Sequence, residues 1–293
     1  MSYYQVLGFE REPFSTSPDP DFFYSSKGHE AALTNALIEV QLRRGLSVIL
    51  GDVGTGKTTL SRKLIQELNK RDNCIFHMVL DPCFESNEAF LMSFSRNFGV
   101  DLPPPNGRPL SVADLRDGLD RFLFRKGVEE NKRIILIVDE AQKLSDMSLE
   151  ILRVLLNYET NQYKLLQLVL LGQLELQEKI KGISNFFDRI SYKGRLDPLG
   201  YEETKEMIIF RMRQAGYRDS LELFLEDGLR AIYEYTGGHP RQVTMLCHRA
   251  LKELLLRNQF VVSQRIIHGL IEEDARTGWQ RTSPLLQKNN YSG

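Results

Sequence analysis

The stretch of this 293-residue sequence that decides the fold is Gly51-Asp52-Val53-Gly54-Thr55-Gly56-Lys57-Thr58. The apolar run from Leu46 to Leu50 directly precedes it and is typical of a buried strand. Beyond Lys57, apolar residues recur at helical spacing, at positions 60, 64, 65 and 68. A glycine loop between a strand and a helix N-terminus presents backbone N–H groups and the positive end of the helix dipole to an anion. The sequence therefore predicts a phosphate-binding P-loop.

The loop residues match the chemistry that a bound triphosphate requires. Gly51, Gly54 and Gly56 allow the backbone to approach phosphate oxygens without the clash that a Cβ atom would cause. Lys57 is predicted to reach the β- and γ-phosphates, and Thr58 to offer its hydroxyl to Mg²⁺. The alternative, a chance match on a tight turn, is disfavoured by the flanking strand and helix. The expected nucleotide-binding residues are Gly51, Asp52, Val53, Gly54, Thr55, Gly56, Lys57, Thr58 and Thr59.

A second motif supplies carboxylates. The apolar run Ile134–Val138 leads directly into Asp139-Glu140, which is the Walker B arrangement. A buried strand would fix both side chains at its carboxyl end, where ligands bind in open α/β sheets. Asp139 is predicted to hold Mg²⁺, directly or through water, and Glu140 to polarise the water that attacks the γ-phosphate. The alternative is that the acidic pair only opens a loop.

Strands alternate with helices over the first two thirds of the chain. Further strands are predicted at Cys74–Leu80, Ile134–Val138, Leu165–Leu171 and Tyr192–Leu196. Helical patterns separate them, among them one that begins at a Ser111/Asp114 capping signal. This alternation implies right-handed crossovers and an α/β fold with a parallel, doubly wound, five-stranded sheet.

Past Pro198 the strand signals mostly stop. Helical patterns follow near 202–214, 222–235, 240–257 and 263–276, so we expect a second, all-helical domain. The N-terminal arm is rich in aromatic residues and prolines, and we expect it to be ordered because disordered segments are poor in aromatics. The predicted organisation is an arm and helix over 1–44, an α/β domain over 45–198, a helical domain over 199–278 and a disordered tail over 279–293.

Composition and charge limit the class of protein. An apolar content of 42% with 26% charged residues is ordinary for a soluble globular protein, and the net charge of −1 argues against a surface devoted to nucleic acid. Cys74, Cys83 and Cys247 form neither a metal pattern nor an even disulfide set, as expected of reduced thiols. No signal-peptide pattern occurs, and no apolar stretch approaches the about 20 residues of a membrane helix. We therefore expect a soluble, cytoplasmic protein.

Four more polar residues are candidates for the site. Gln173 follows a predicted strand, where its side chain could touch the γ-phosphate or the attacking water. Arg189 and Arg195 are candidates for a cation presented to a neighbouring subunit's nucleotide, which would neutralise charge in the transition state. Arg241 stands at a predicted helix start after a Gly-Gly turn, where a basic residue opposes the helix dipole and so indicates a functional role. The alternative for each is an ordinary solvated side chain.

Together these elements resemble an AAA+ ATPase, and more narrowly the ATPase module of the ExeA/GspA family of general secretion pathway ATPases. The resemblance covers about 1–276 and includes the two nucleotide motifs described above. The other matching segments are Leu7-Gly8-Phe9, Pro13-Phe14, Pro18-Asp19-Pro20, Ser26–Leu33, Ala141-Gln142, Gly172-Gln173, Glu175-Leu176, Arg189-Ile190 and Gly237-Gly238-His239-Pro240-Arg241.

The resemblance implies roles for individual residues. Gln173 would be the first sensor, Arg189 the arginine finger and Arg241 the second sensor, and the N-terminal arm would border the adenine pocket. It also implies a helical lid after the α/β domain, ATP and Mg²⁺ as cofactors, and a homo-oligomer, either a hexamer or a filament.

Three functions are compatible with these observations. The first is an ATPase that assists assembly or remodelling of a secretion or pilus-like envelope machine from the cytoplasm, at most peripheral to the inner membrane. The second is a DNA-associated ATPase of the transposition-helper class, similar to TnsC and MuB, and the third is a nucleotide-dependent scaffold with little turnover. Residues 199–278 carry 11 Lys/Arg against 12 Asp/Glu, so charge does not favour DNA as the partner.

Overall fold

The computed structural model describes residues 2–17, 19–102, 108–218 and 222–278. The described residues divide into two compact units. An α/β unit comprises the described residues within 27–53 and 57–196, and a helical unit comprises those within 2–26, 54–56 and 197–278. The predicted tail at 279–293 and part of the predicted loop between Asp101 and Pro109 lie outside the described residues.

The α/β unit is built on one parallel sheet of five strands in the order β2-β3-β4-β1-β5. Its strands are β1 (Leu46–Gly51), β2 (Cys74–Val79), β3 (Arg133–Val138), β4 (Leu166–Gly172) and β5 (Ile190–Leu196). All five predicted strands and the parallel sheet are confirmed. β5 begins two residues earlier than predicted because Ile190 already pairs with Leu46 of β1.

Burial explains the order of the strands. Every residue of β4 is buried, as are the last five residues of β3, so these apolar runs occupy the middle of the sheet. The edge strands β2 and β5 contain half-buried or exposed residues. A strand covered on both faces needs a continuous apolar run, whereas an edge strand tolerates polar positions.

Among the described residues, six α-helices belong to this unit: α2 (Lys27–Leu42), α3 (Lys57–Asn69), α4 (Asn87–Asn97), α5 (Val112–Phe124), α6 (Asp146–Leu155) and α7 (Glu175–Gly182). Ser111 and Asp114 form the predicted capping box of α5, which a π-helical turn at Arg125–Glu129 extends. α7 was not predicted. It has eight residues and buries only Leu176 and Ile180, so its periodic signal is short.

The helical unit contains α1 (Tyr3–Val6), α8 (Tyr201–Gln214), α9 (Glu226–Thr236), α10 (Pro240–Leu256) and α11 (Gln264–Arg276). The predicted helical domain is confirmed, but α9 begins at Glu226 and not near 222. Residues before it pair with the segment preceding α11 instead: the Val262 N–H donates to the Leu223 carbonyl (2.7 Å), and the Leu225 N–H to the Val262 carbonyl (3.0 Å). The backbone of Leu225 is extended where it makes this bridge, so the helix begins only after it.

The N-terminal arm completes the core of the helical unit. Phe9, Phe14 and Phe22 are buried in one cluster with apolar residues of α8 to α11. The Arg211 guanidinium of α8 donates to the carbonyls of Pro13 (2.9 Å), Ser15 (2.9 Å) and Phe22 (3.3 Å). Burial lowers the pKa of Arg211 to about 10.

The segment predicted as a single part at 1–44 is therefore shared between the two units. Its arm packs with the C-terminal helices, and its helix α2 packs with the sheet of the α/β unit. No helix of the described residues is both long and apolar enough to cross a membrane.

We expect Gly238→Ala to lower the free energy of unfolding by about 2–5 kcal/mol, because it combines backbone strain with a steric overlap. Gly238 has φ +73°, and an added Cβ atom would lie 1.9 Å from the Leu199 carbonyl oxygen. Urea unfolding followed by circular dichroism measures the loss. Gly182→Ala is the matched control, because an added Cβ there meets no atom within 4 Å. Equal stabilities of the two variants would contradict the prediction.

Candidate nucleotide-binding site

Three neighbouring strands deliver the candidate residues to one edge of the sheet. β3, β4 and β1 are adjacent and parallel, so their carboxyl ends lie at the same edge. The P-loop follows β1, Asp139-Glu140 follows β3 and Gln173 follows β4. Ligands of open α/β sheets bind outside the carboxyl ends of such strands.

The loop after β1 has the backbone that a phosphate cradle requires. Gly54 has φ +85° and Gly56 has φ +98°, conformations that side chains with a Cβ rarely adopt. α3 begins directly afterwards at Lys57, so its first N–H groups have no partner within the helix. The strand–loop–helix succession predicted from the sequence is present.

Lys57 is held inside the loop. Its side chain is 5% exposed, and its Nζ donates to the carbonyls of Gly51 (2.7 Å) and Asp52 (2.9 Å). Burial lowers the pKa of the ammonium group, while nearby carboxylates, with Glu140 the strongest, oppose that shift. An ammonium group in this setting interacts strongly with an added negative charge because little water screens it.

Thr58 and Asp139 meet although they are 81 positions apart in the chain. The Thr58 hydroxyl donates to Asp139 Oδ2 at 2.6 Å. Asp139 is 2% exposed, its Oδ1 accepts the Glu140 N–H (2.9 Å), and its own N–H donates to the Val79 carbonyl (2.8 Å). Burial raises the pKa of the Asp139 carboxyl, and the Thr58 hydrogen bond opposes this.

The pair fits a magnesium ion. Mg²⁺ prefers oxygen ligands, retains several waters and is usually bound by one or two protein groups together with substrate phosphates. A hydroxyl and a carboxylate side by side supply such a donor set. Within the described ranges no group of three or more His, Cys, Asp or Glu side chains could form a metal site made of protein alone.

Glu140 lies beside this pair with an unusual backbone. Its φ is +50°, in the left-handed region, at the start of the short 3₁₀ helix Ala141–Lys143. A residue that is not glycine adopts this conformation at a cost of order 1–3 kcal/mol, and such outliers cluster at functional sites. The side chain is half-buried, and its Oε2 accepts a hydrogen bond from Gln142 Nε2 at 2.7 Å.

Gln142 connects the ends of β3 and β4. Besides its bond to Glu140, its Oε1 accepts the backbone N–H of Gln173 at 3.1 Å. Lys179 of α7 fixes the loop by donating to the carbonyls of Gln142 (2.7 Å) and Leu144 (3.0 Å). In the sequence, Gln142 is recognisable only as the last residue of the Asp139–Gln142 motif, and Lys179 belongs to no motif. Their polar contacts depend on the tertiary fold, so no local pattern marks them.

Of the two arginines near the end of the α/β unit, Arg189 makes its contacts away from these residues. The Arg189 guanidinium donates to the carbonyls of Arg153 (3.2 Å) and Asn185 (3.2 Å) and to the Asn157 side chain (2.5 Å), which places it at the C-terminal end of α6. Arg195 is an exposed residue of the edge strand β5. Among the described residues, these hydrogen bonds of Arg189 do not reach Lys57, Asp139 or Glu140.

Arg241 occupies the first turn of α10, after Pro240 at the start of the helix. Its side chain is exposed, and its backbone N–H donates to the Gly54 carbonyl at 3.2 Å. A Cβ atom on Gly54 would lie 3.0 Å from the Arg241 Cβ. The structure thus places this arginine beside the tip of the loop, and both residues belong to the same unit.

Comparisons with known proteins agree with the motifs. Residues 40–180 match the model of a AAA domain family. Over 269 residues, or 91% of this chain, the sequence is 33% identical to General secretion pathway protein A of Aeromonas hydrophila. The chain covers 47% of that protein, so it spans about half the length of the curated relative it matches. The resemblance inferred from the motifs is confirmed.

Solved structures with the same fold are similar to this chain over most of its length. Cdc6p of Pyrobaculum aerophilum has a TM-score of 0.65 at 19% identity, covering 85% of this chain and 67% of that one. The ORC1 protein of Aeropyrum pernix, solved in complex with DNA, has a TM-score of 0.62 at 18% identity, covering 90% and 69%. At such identities the likeness concerns the fold alone.

We expect Lys57→Met to weaken ATP binding by about 100-fold or more, because a buried ammonium group that faces phosphate is removed. A fluorescent ATP analogue titrated against each variant measures the affinity. The unfolding midpoint should stay close to that of the parent protein, since burial already disfavours the charged form of Lys57.

Lys63→Met on the same helix is the matched control, because within the described part of the chain Lys63 contacts Gln66 and Glu67 of α3. It should bind the analogue with the parent affinity. If Lys57→Met binds as tightly as Lys63→Met, Lys57 is not part of the site.

Proposed function

Because this chain belongs to the AAA+ P-loop NTPases, we propose that it binds and hydrolyses ATP with Mg²⁺ and that it works as an oligomer. The observation that carries the proposal is the contact between the Thr58 hydroxyl and the buried Asp139 carboxylate, 2.6 Å apart, beside the buried Lys57. Together they provide oxygen ligands for a metal ion and a cation for phosphate at one point.

Each residue would then have a defined task. The loop N–H groups and Lys57 bind the phosphates, and Thr58 and Asp139 hold Mg²⁺, which when bound neutralises charge on the phosphate oxygens. Glu140 orients and polarises the attacking water, accepting its proton as the bond to the γ-phosphorus forms. Gln173 contacts the γ-phosphate or the water from the end of β4.

The arginines would complete the site. Arg189 lies outside the contacts of its own subunit's loop, as suits a residue that reaches the nucleotide of a neighbouring subunit and stabilises transition-state charge there. Arg195, exposed on β5, is the competing candidate for that role. Arg241 would report the nucleotide to the helical unit, with its backbone contact to Gly54 in support.

We further propose that the ATPase cycle drives assembly or remodelling of a secretion or pilus-like machine from the cytoplasmic side of the inner membrane. The similarity to General secretion pathway protein A supports this. The partner would be a protein component of that machine. A pull-down with the Glu140→Gln form held in ATP identifies it, and salt-dependent DNA binding in the presence of ATP would favour the transposition-helper alternative.

We expect Glu140→Gln to lower kcat by about 10²–10⁴-fold while leaving ATP affinity within a few fold, because only the proton acceptor is removed. Phosphate release and analogue binding measure the two effects. Glu178→Gln on the exposed face of α7 is the matched control and should keep the parent rate. If Glu140→Gln hydrolyses ATP at the parent rate, Glu140 is not the base.

The parent protein itself distinguishes an ATPase from a nucleotide-dependent scaffold. If the parent protein binds ATP without turnover, that result supports the scaffold function.

We expect Arg189→Ala to bind ATP normally and to lose about 10³-fold in kcat, the size of the effect of an arginine finger. Mixing it with the Glu140→Gln variant should restore part of the activity, because each Glu140→Gln subunit can supply Arg189 to its neighbour's intact base. Arg195→Ala is tested in the same way. If the mixture stays inactive while both variants form oligomers, Arg189 does not act between subunits.

A further inference from the structure

Gln142 makes two hydrogen bonds at once, one as a donor and one as an acceptor, which a side-chain amide can do. Its Nε2 donates to the Glu140 carboxylate at 2.7 Å, and its Oε1 accepts the Gln173 N–H at 3.1 Å. One primary amide thus joins the proposed base at the end of β3 to the proposed γ-phosphate contact at the end of β4. Gln142 is half-buried, so these bonds are partly shielded from water.

The surroundings hold this amide in one place. Ala141 and Leu144, on either side in the chain, are fully buried, and Lys179 binds the carbonyls of Gln142 and Leu144. Gly172 leaves room for the amide, because a Cβ atom there would lie 3.2 Å from Gln142 Oε1 and 2.7 Å from a Leu176 methyl carbon. The backbone is therefore constrained both in the loop after β3, which carries Gln142, and at Gly172 at the end of β4.

We propose that Gln142 is the positioning residue of the Glu140 carboxylate: it couples the orientation of the base to the end of β4. The inference rests on the proposed ATPase function. Glu140 has a left-handed backbone, and Gln142 Nε2 is the side-chain donor described for its carboxylate. Without that donor the carboxylate can rotate away from the attacking water.

The chemistry of the amide distinguishes it from its near replacements. Glutamate at 142 would keep the acceptor for the Gln173 N–H, but it would face Glu140 with a second carboxylate and no donor. Methionine would keep the length of the side chain and remove both hydrogen bonds. Misplacement of a reacting group by about 1 Å can cost on the order of 100-fold in rate.

Steady-state and single-turnover hydrolysis of the full chain test the proposal, with Gln177→Met on α7 as a control of the same residue type. We expect Gln142→Met to lower kcat by about 10–100-fold with KM within about twofold, since the loop, Lys57, Thr58 and Asp139, which are proposed to bind the nucleotide, are unchanged. Gln142→Glu should lose at least as much. Thermal unfolding checks that each variant is folded. If Gln142→Met does not fold, Gln142→Glu, which keeps the shape of the side chain, provides the test instead.

The double variant Gln142→Met/Glu140→Gln separates positioning from a general structural role. If Gln142 acts through Glu140, the double variant hydrolyses ATP no more slowly than Glu140→Gln alone, because effects within one functional unit are not additive. Fully multiplicative losses, or a parent-like kcat in Gln142→Met, would overturn the inference and leave the ATPase proposal intact. A parent protein without turnover would overturn both, so the two failures are distinguishable.

Discussion

The hydrogen bond between the Thr58 hydroxyl and the Asp139 carboxylate is the contact on which the candidate site depends. It joins the helix after β1 to the end of β3 across β4, and the fixed order of a parallel sheet makes that possible. A carboxylate buried to this degree is costly unless it is hydrogen-bonded, and the Thr58 hydroxyl and the Glu140 N–H satisfy both of its oxygens. The same hydrogen bond therefore fixes the position of the Asp139 carboxylate and offsets the cost of burying its charge.

The hydrogen bonds of Gln142 also lie at the carboxyl edge of the sheet. Gln142 and Gln173 come from loops that leave β3 and β4 side by side, so a single amide can span them. β4 is buried along its whole length, so close packing holds its carboxyl end, and the loop that follows it, in a fixed position. Without that packing, the loops would leave the Glu140 carboxylate, the proposed catalytic base, free to rotate.

Much of this could be predicted from the sequence, for physical reasons that differ between elements. The runs of β1, β3 and β4 are mostly apolar, and strands buried in a parallel sheet are the simplest way to accommodate them. The P-loop and Asp139-Glu140 are recognisable because their chemistry is local. α7 was missed because eight residues give too little periodicity, and the start of α9 was misplaced because Phe224 pairs with Val262, far away in the chain. The link through Gln142 depends on which strands become neighbours, which periodicity does not reveal.

The helical unit is assembled from both ends of the chain, since residues 2–26 share one core with the four helices α8 to α11. On a ribosome the arm emerges first but its partners emerge last, so the α/β unit can fold while Phe9 and Phe14 still await their neighbours. N-terminal trimming, even far from the P-loop in sequence, would consequently damage the C-terminal helices. Arg211, which binds three arm carbonyls, would then lose all three of these acceptors.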